Sequence, residues 1–202
     1  MRQGLEELGL PISQLDALAS PLGRLAELLA QWSVRMNLTA HRDAEAVVRR
    51  LILEAVALDR QLPEVSSMVD LGTGAGFPGL PIALLHPERT VTLVESRERP
   101  HHFQRAAARE LEIGNAVLRL GRAEELPPEP HALVTAQAMA TPHQAVIWML
   151  PWAEPGGILA LPLSEAQPPP GSMEGIGAES VSSYTVPLGG PRRALWLGHK
   201  LT

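Results

Sequence analysis

Two acids and a run of glycines are the residues of this chain whose types and spacing best suit chemistry. Residues 70–79 read DLGTGAGFPG, so four glycines follow Asp70 closely. Glycine suits backbone that adopts a positive φ or comes close to another group. Glu95 ends the next apolar run, where an acid commonly binds two ribose hydroxyls. The pattern predicts a site for an adenosine-containing molecule; the alternative is a tight turn with glycines for packing alone.

The glycine spacing separates two classes of cofactor. Dinucleotide-binding folds use G-x-G-x-x-G, which turns a helix N-terminus towards a pyrophosphate, whereas this chain has G-x-G-x-G. Asp70 precedes Gly72 by two positions, where a carboxylate adds little to phosphate binding but can hold an ammonium group. The pattern resembles the first two motifs of S-adenosylmethionine methyltransferases, so S-adenosylmethionine is the expected cofactor. An NAD-linked oxidoreductase is disfavoured further because Tyr184 and Lys200, the only Tyr and Lys, form no Tyr-x-x-x-Lys relay.

These residues fall at the ends of strands in an alternating pattern of strands and helices. Short runs rich in Val, Leu and Ile occupy 67–71, 90–95, 116–120, 132–136 and 157–161, with helix-length stretches at 79–86, 98–112 and 142–153. Such alternation indicates βαβ units and a parallel sheet buried on both faces. After an irregular Pro/Gly/Ser-rich stretch at 164–179, SVSSYTV and ALWLGHK predict a late hairpin that closes the sheet.

The N-terminal third is predicted to be helical. Leucines at helical spacing indicate a helix at 15–32, which Pro21 could interrupt or start. A second helix is expected at 43–61, with Asp43 as its N-cap. We therefore expect a helical extension over residues 1–62 that packs against a single compact domain over residues 63–202.

A third stretch completes the predicted cofactor site. Residues 121–125 read GRAEE and follow the third strand, where the loop of such folds borders the adenine. The alternative for this stretch is a solvated helix start with acids in its first turn. The residues expected to bind the cofactor are Asp70, Gly72, Thr73, Gly74, Gly76, Phe77, Glu95, Ser96, Arg122, Ala123 and Glu124.

Four motifs together resemble one family. Asn37-Leu38-Thr39, DLGTGAGFPGLPIA at 70–83, LVES at 93–96 and GRAE at 121–124 occur in the order found in the small-subunit ribosomal RNA methyltransferase G family. The GFPG-x-P part is the most specific to it. The resemblance implies a Rossmann-like class I methyltransferase fold, α/β, with a mostly parallel seven-stranded sheet. It also implies methylation of guanine N7 in 16S ribosomal RNA, with that RNA or the small ribosomal subunit as partner.

Several acceptor-side positions depart from the pattern of that family. Gln137 stands where the family usually has Arg, Pro162 where it has Lys, and Glu54 where it has Asp. Gln137, Arg192 and Arg193 are the expected catalytic residues. RNA contacts are expected from a wider set of basic residues: Arg35, Arg42, Arg97, Arg99, His101, His102, Arg122, Arg192 and Arg193. The alternative function is a diverged family member that binds the cofactor with altered or lost methyl transfer, as an RNA-binding or sensing module.

Composition sets the remaining expectations. The chain has 202 residues, a formal net charge of −5, no cysteine and seven aromatic residues (four Trp, one Tyr and two Phe). An acidic average argues against non-specific coating of nucleic acid but leaves room for a local basic face. Few aromatics argue against a stacking platform as the main way of recognising bases. We expect a cytoplasmic monomer with no metal and no membrane segment.

Overall fold

Seven strands form one sheet in the computed structural model, which describes all residues from Met1 to Thr202. Their order is β3-β2-β1-β4-β5-β7-β6; β1 to β5 pair in parallel, and β7 is antiparallel to both neighbours. This confirms the mostly parallel sheet closed by a late hairpin. The strands are β1 Ser67–Leu71, β2 Thr90–Glu95, β3 Ala116–Leu120, β4 His131–Ala136, β5 Ala153–Ser164, β6 Ile176–Thr185 and β7 Arg192–Lys200.

The strand order reverses between β1 and β4, and this reversal decides where a ligand can bind. β1 is hydrogen-bonded to β2 on one side and to β4 on the other, so the connections leave β1 and β4 in opposite directions. Open α/β sheets bind ligands in the crevice at the carboxyl ends of such strands. The glycine loop follows β1 directly and therefore lies in that crevice.

Seven α-helices accompany the sheet, and Pro21 lies inside the longest of them. Leu15, Leu22, Leu25 and Leu29 on both sides of this proline are buried in one core. That shared burial keeps the helix continuous although a proline removes one backbone hydrogen bond. The helices are α1 Arg2–Glu7, α2 Ile12–Met36, α3 Ala44–Val47, α4 Leu53–Asp59, α5 Gly79–Leu85, α6 Glu98–Glu110 and α7 Pro142–Met149.

Several boundaries differ from the predicted ones, among them α2 and β5, which are longer at both ends. The helix expected at 43–61 is capped by Asp43 as predicted, but a π-helical turn at Val48–Ile52 separates α3 from α4. The helix expected to reach residue 153 ends at Met149 and is followed by a 3₁₀ turn at Leu150–Trp152, where Pro151 cannot donate a helical hydrogen bond. β6 begins at Ile176, inside the stretch expected to be irregular.

The two faces of the sheet carry separate cores. Met68 of β1 and Leu195 of β7 bury against α1, α2, α4, α5 and α6, whereas Val69 of β1 buries on the other face with α7 and Trp152. Successive side chains of a strand point to opposite faces, which separates the two sets. The N-terminal helices thus share a core with the sheet. No helix combines the length and the apolar character that crossing a membrane requires.

Candidate functional site

The glycine loop at residues 72–78 is built from backbone that side chains would disrupt. Gly72 has φ of 67° and Gly76 has φ of 91°, in the left-handed region that glycine adopts without strain. A Cβ added to Gly72 would lie 2.9 Å from Met139 Cβ, and one added to Gly76 would lie 2.5 Å from Leu80 Cδ1. Gln104 of α6 holds the middle of the loop, since its Nε2 donates to the Gly74 carbonyl at 2.6 Å. The loop is therefore fixed by conformation and by packing.

Asp70 lies beneath this loop and is fully buried. Its Oδ2 accepts hydrogen bonds from Thr73 Oγ1 at 2.5 Å and from the Gly79 backbone N–H at 2.9 Å, so it joins the start of the loop to the start of α5. Its Oδ1 is buried without a partner. Burial raises the pKa of Asp70 to about 7. The sequence predicted that Asp70 meets a ligand; the structure places it under the loop, outside the cavities described next.

Asp70→Asn should stabilise the protein at neutral and alkaline pH. The amide oxygen can accept both existing hydrogen bonds, and the buried charge is removed. Because the folded carboxyl titrates at about 7 and the free one at 3.8, its contribution to stability is complete below about pH 3.8 and is lost as the pH rises to about 7. The variant should exceed the wild type by roughly 4 kcal/mol at pH 8 and by little at pH 4, as measured by urea unfolding. Equal pH profiles for Asp70→Asn and the wild type would contradict the buried-charge argument.

One cavity, the Glu95 recess, lies at the ends of β2 and β3. It encloses about 350 Å³ and is lined by Gly72, Val94, Glu95, Ser96, Arg97, Gly121, Arg122, Ala123, Glu124, Ala138, Met139 and Trp148. Glu95 is only 3% exposed. The carboxylate accepts hydrogen bonds from the Arg97 backbone N–H at 2.8 Å, from Arg97 Nε at 3.0 Å and from Arg97 Nη2 at 3.4 Å. Burial acts to raise the pKa of Glu95, but these hydrogen bonds and the Arg97 charge outweigh it and lower the pKa.

A second cavity, the Glu54 recess, lies on the other side of the glycine loop. It also encloses about 350 Å³ and is lined by Leu38, Thr39, His41, Arg50, Leu51, Glu54, Ala55, Gly72, Thr73, Gly74, Ala75, Phe77, Pro78, Gln137, Ala138 and Arg193. The wall at 38–41 follows from the end of α2. Asn37 takes the left-handed conformation with φ of 53°. Its backbone N–H donates to the Ser33 carbonyl at 3.1 Å, and its Oδ1 accepts from Arg42 Nη2 at 2.8 Å. The Asn-Leu-Thr motif is thus a helix end that turns Leu38 and Thr39 into the recess.

Glu54 organises the far side of this second recess. Its Oε1 accepts from Gln137 Nε2 at 3.0 Å and from Arg193 Nε at 2.8 Å, and its Oε2 accepts from Arg193 Nη2 at 3.1 Å. This hydrogen bonding and the Glu54 charge raise the pKa of Arg193. The Tyr184 hydroxyl is buried beside the pair without a partner, and burial raises the pKa of Tyr184. One carboxylate therefore fixes two hydrogen-bond donors that come from β7 and from the end of β4.

The two recesses are parts of one cleft. Gly72 and Ala138 line both of them. Ala138 has φ of 53°, so the chain turns sharply as it leaves β4, between the two recesses. A molecule in the Glu95 recess can therefore meet a second molecule in the Glu54 recess at this boundary. The arrangement suits transfer of a group between two bound molecules.

The structure brings most of the predicted site residues to this cleft. Eleven line it: Gly72, Thr73, Gly74, Phe77, Glu95, Ser96, Arg122, Ala123, Glu124, Gln137 and Arg193. Gly76 and Asp70 support the loop from behind. Arg192 does not reach the cleft, because neighbouring residues of a strand point to opposite faces; its Nη2 donates to Ser183 Oγ at 2.9 Å and its Nε pairs with Glu165 at 3.3 Å. Of the predicted pair, only Arg193 lines the cleft.

Other cleft residues had no distinctive signal in the sequence. Met139, in the bend between β4 and α7, and Trp148, in the last turn of α7, line the Glu95 recess, and neither belongs to a chemical motif. In the sequence, Glu54 is distinguished only by standing where the family has Asp. Pro162, which replaces the family's Lys, is buried in β5 opposite Leu195 and lines neither recess.

Three features together are those of the class I methyltransferase fold. They are a sheet with antiparallel β7 between β5 and β6, a glycine loop after β1 and an acid at the end of β2. An O-methyltransferase from Streptomyces achromogenes, in complex with S-adenosylmethionine, superimposes with a TM-score of 0.55 at 14% identity, over 90% of each chain. An rRNA methylase from Streptococcus thermophilus gives 0.50 at 20% identity, over 74% of this chain and 95% of the other. At these identities the likeness is one of fold.

Sequence comparison identifies the family. The family model described as rRNA small subunit methyltransferase G matches residues 19–165, so the chain belongs to that family, and the resemblance found in its motifs is confirmed. A relative of that name from Xanthomonas euvesicatoria is 42% identical over 137 residues, which cover 67% of this chain and 64% of the relative. One from Stenotrophomonas maltophilia is 41% identical over 160 residues, 79% of this chain and 73% of the relative. The matched part thus spans just under two thirds of the Xanthomonas protein.

Proposed function

We propose that the protein transfers a methyl group from S-adenosylmethionine to N7 of a guanine in small-subunit (16S) ribosomal RNA. The observation that carries this proposal is the single cleft in which the Glu95 recess and the Glu54 recess meet at Gly72 and Ala138. Membership of the family supports an active enzyme over a module that only binds cofactor or RNA. Action as a cytoplasmic monomer on the RNA or the small ribosomal subunit forms part of the proposal.

The residues present fit S-adenosylmethionine. The Glu95 carboxylate would bind ribose hydroxyls, Ser96 and residues 122–124 would border the adenosine, and the loop at Gly72 and Gly74 would face the methionine end. A carboxylate has more acceptor positions than the three donors of Arg97 fill. The bond from Arg97 Nη2 to Oε2 is the longest at 3.4 Å, so a ribose hydroxyl can replace it most easily. Asp70 lies beneath the loop, where its hydrogen bonds from Thr73 and Gly79 hold the backbone that would face the methionine end.

The acceptor chemistry asks little of the protein beyond positioning. When bound, S-adenosylmethionine supplies an electrophilic methyl group on a sulfonium centre. Guanine N7 carries a lone pair and no proton, so no residue has to act as a general base. Glu54 is already engaged by Gln137 and Arg193, which suits a residue that orients donors. These donors can hold the guanine O6 edge while N7 stays free, and such positioning is a large source of rate enhancement.

The proposal is tested by transfer of radiolabelled methyl from S-adenosylmethionine to small ribosomal subunits from a strain that lacks this modification. Nuclease digestion should release the label as 7-methylguanosine. Subunits from a strain that carries the modification should accept little label, which is the matched control. Calorimetry shows in parallel whether the protein binds the cofactor. Cofactor binding without incorporation into these subunits or into naked 16S RNA would reject the proposed activity and favour the binding-only alternative.

A further inference from the structure

Two open depressions on the surface meet at Trp32, away from the cleft. One is lined by Trp32, His102, Arg105, Ala106, Arg109 and Leu118, and the other by Gln31, Trp32, Val34, Arg35 and Met36. We call the surface formed by Trp32, Arg35, His102, Arg105 and Arg109 the Trp32 face. His102, Arg105 and Arg109 follow at helical spacing along one side of α6, and Arg35 comes from the last turn of α2.

The arginines of the Trp32 face are exposed and without acidic partners. Arg35, Arg105 and Arg109 take part in no salt bridge, although most arginines of the chain do. The nearby acids Glu27 and Glu110 are both held by Arg24, at 3.1 and 2.7 Å. In a chain with a net charge of −5, this face is a local concentration of free positive charge. Its electrostatics favour an anionic partner.

Trp32 is held in a fixed position at the centre of the face. Its ring meets that of Phe103 edge to face, with centroids 5.7 Å apart and an angle of 68° between planes. Phe103 is fully buried in α6, so the indole is anchored to the core while part of it stays exposed. A fixed aromatic surface beside guanidinium groups suits a nucleic acid, whose bases stack and whose phosphates pair with arginine. The other apolar residues of the two depressions, Val34, Met36, Ala106 and Leu118, lie among exposed arginines. Charged residues are depleted from the cores of protein–protein interfaces, so this mixture favours a nucleic acid over a protein partner.

The Trp32 face is also continuous with the acceptor side of the cleft. α2 ends at Met36, and the next residues, Leu38 and Thr39, line the Glu54 recess. An RNA strand that places one base in that recess can therefore pass over the end of α2 to reach the Trp32 face. We infer that the Trp32 face binds the sugar-phosphate backbone of the ribosomal RNA that flanks the target nucleotide, with one base against Trp32. This inference rests on the proposed function, since it assigns that substrate a second contact surface.

The inference is tested by filter binding of a radiolabelled 16S RNA transcript over a range of KCl concentrations. Arg105→Glu and Arg109→Glu should each weaken binding about tenfold at about 100 mM KCl, and should each lower the slope of log Kd against log salt by about one. Trp32→Leu should weaken binding about tenfold with the slope unchanged, because stacking releases no counterions. Arg60→Glu is the matched control: Arg60 is exposed, without a salt bridge, and lines neither depression, so binding should change less than about twofold.

Calorimetry with S-adenosylmethionine should give the same Kd for all four variants, which shows that each is folded. RNA binding by Arg105→Glu and Arg109→Glu equal to that of Arg60→Glu would overturn the inference, as would a wild type without affinity for the transcript. The outcomes also separate the two proposals. If the wild type transfers methyl groups and the arginine variants bind RNA normally, the proposed activity stands and the role of the Trp32 face is rejected. If the arginine variants bind RNA poorly and the wild type transfers no methyl group, the role of the Trp32 face stands and the proposed activity is rejected.

Discussion

Glu95→Gln should weaken S-adenosylmethionine binding by roughly ten- to hundredfold. Hydrogen bonds to a charged group contribute about 1.5–3 kcal/mol, and each 1.4 kcal/mol is about a factor of ten in Kd. Glu95 is almost fully buried and its lowered pKa keeps it ionised at neutral pH, so it presents a charged acceptor to the ribose. Calorimetric titration of wild type and variant measures the difference. An unchanged Kd would exclude the ribose role of Glu95.

Arg97→Ala tests whether Arg97 competes with the cofactor for the Glu95 carboxylate or contacts the cofactor itself. The Arg97 side chain is 67% exposed, so its ion pair with Glu95 is screened by solvent and contributes at most about 1 kcal/mol. Because the guanidinium occupies acceptor positions that the ribose needs, its removal should tighten cofactor binding by up to about fivefold at pH 8. Arg99→Ala is the matched control: Arg99 is exposed, forms no salt bridge and lines neither recess, so this variant should bind the cofactor as the wild type does. Weaker cofactor binding by Arg97→Ala would show that Arg97 contacts the cofactor itself.

The cofactor half of the cleft could be predicted from the sequence because its chemistry is local along the chain. Gly72 and Gly74 belong to a single loop, and Glu95 ends the strand next to it, so the order of strands and glycines is enough to place them together. The positive φ angles that select glycine are properties of single residues. The sequence did not predict the wall at Met139 and Trp148, which comes from the bend before α7 and from α7 itself.

The acceptor half could not be predicted in the same way because it is assembled from distant parts of the chain. Glu54 is 83 positions from Gln137 and 139 positions from Arg193. Their contacts depend on how α4 packs on the sheet and on the register of β7 against β5. That register also decides that Arg193 rather than Arg192 faces the cleft. The burial along β7 does not alternate cleanly, so no two-residue period in the sequence separates the two arginines.

Glu54→Gln should lower kcat for methyl transfer by about a hundredfold while leaving the Kd of S-adenosylmethionine unchanged. The amide oxygen can take the place of Oε1 and accept from Gln137 and from Arg193 Nε, but the NH₂ group then faces Arg193 Nη2. Arg193 therefore loses one hydrogen bond and the opposite charge that held it. Misplacement of a substrate by about 1 Å can cost about a hundredfold in rate. Arg193 would no longer be held against the acceptor base. Loss of one partner from this largely buried pair should also lower the free energy of unfolding by about 1–3 kcal/mol.

Glu165→Gln is the matched control for this variant. Glu165 pairs with Arg192, the neighbour of Arg193, but that pair is on the surface with both side chains more than half exposed. The same chemical change at the partner of the neighbouring arginine should therefore leave kcat and stability within experimental error. Single-turnover transfer to unmodified small subunits, at saturating cofactor and RNA, separates positioning from binding. A normal single-turnover rate in Glu54→Gln would show that the ion pair of Glu54 and Arg193 only supports the fold. If Glu54→Gln lost cofactor affinity together with rate, the pair would act through the glycine loop. If only Glu54→Gln loses rate, the Glu54 carboxylate orients the acceptor base through Gln137 and Arg193.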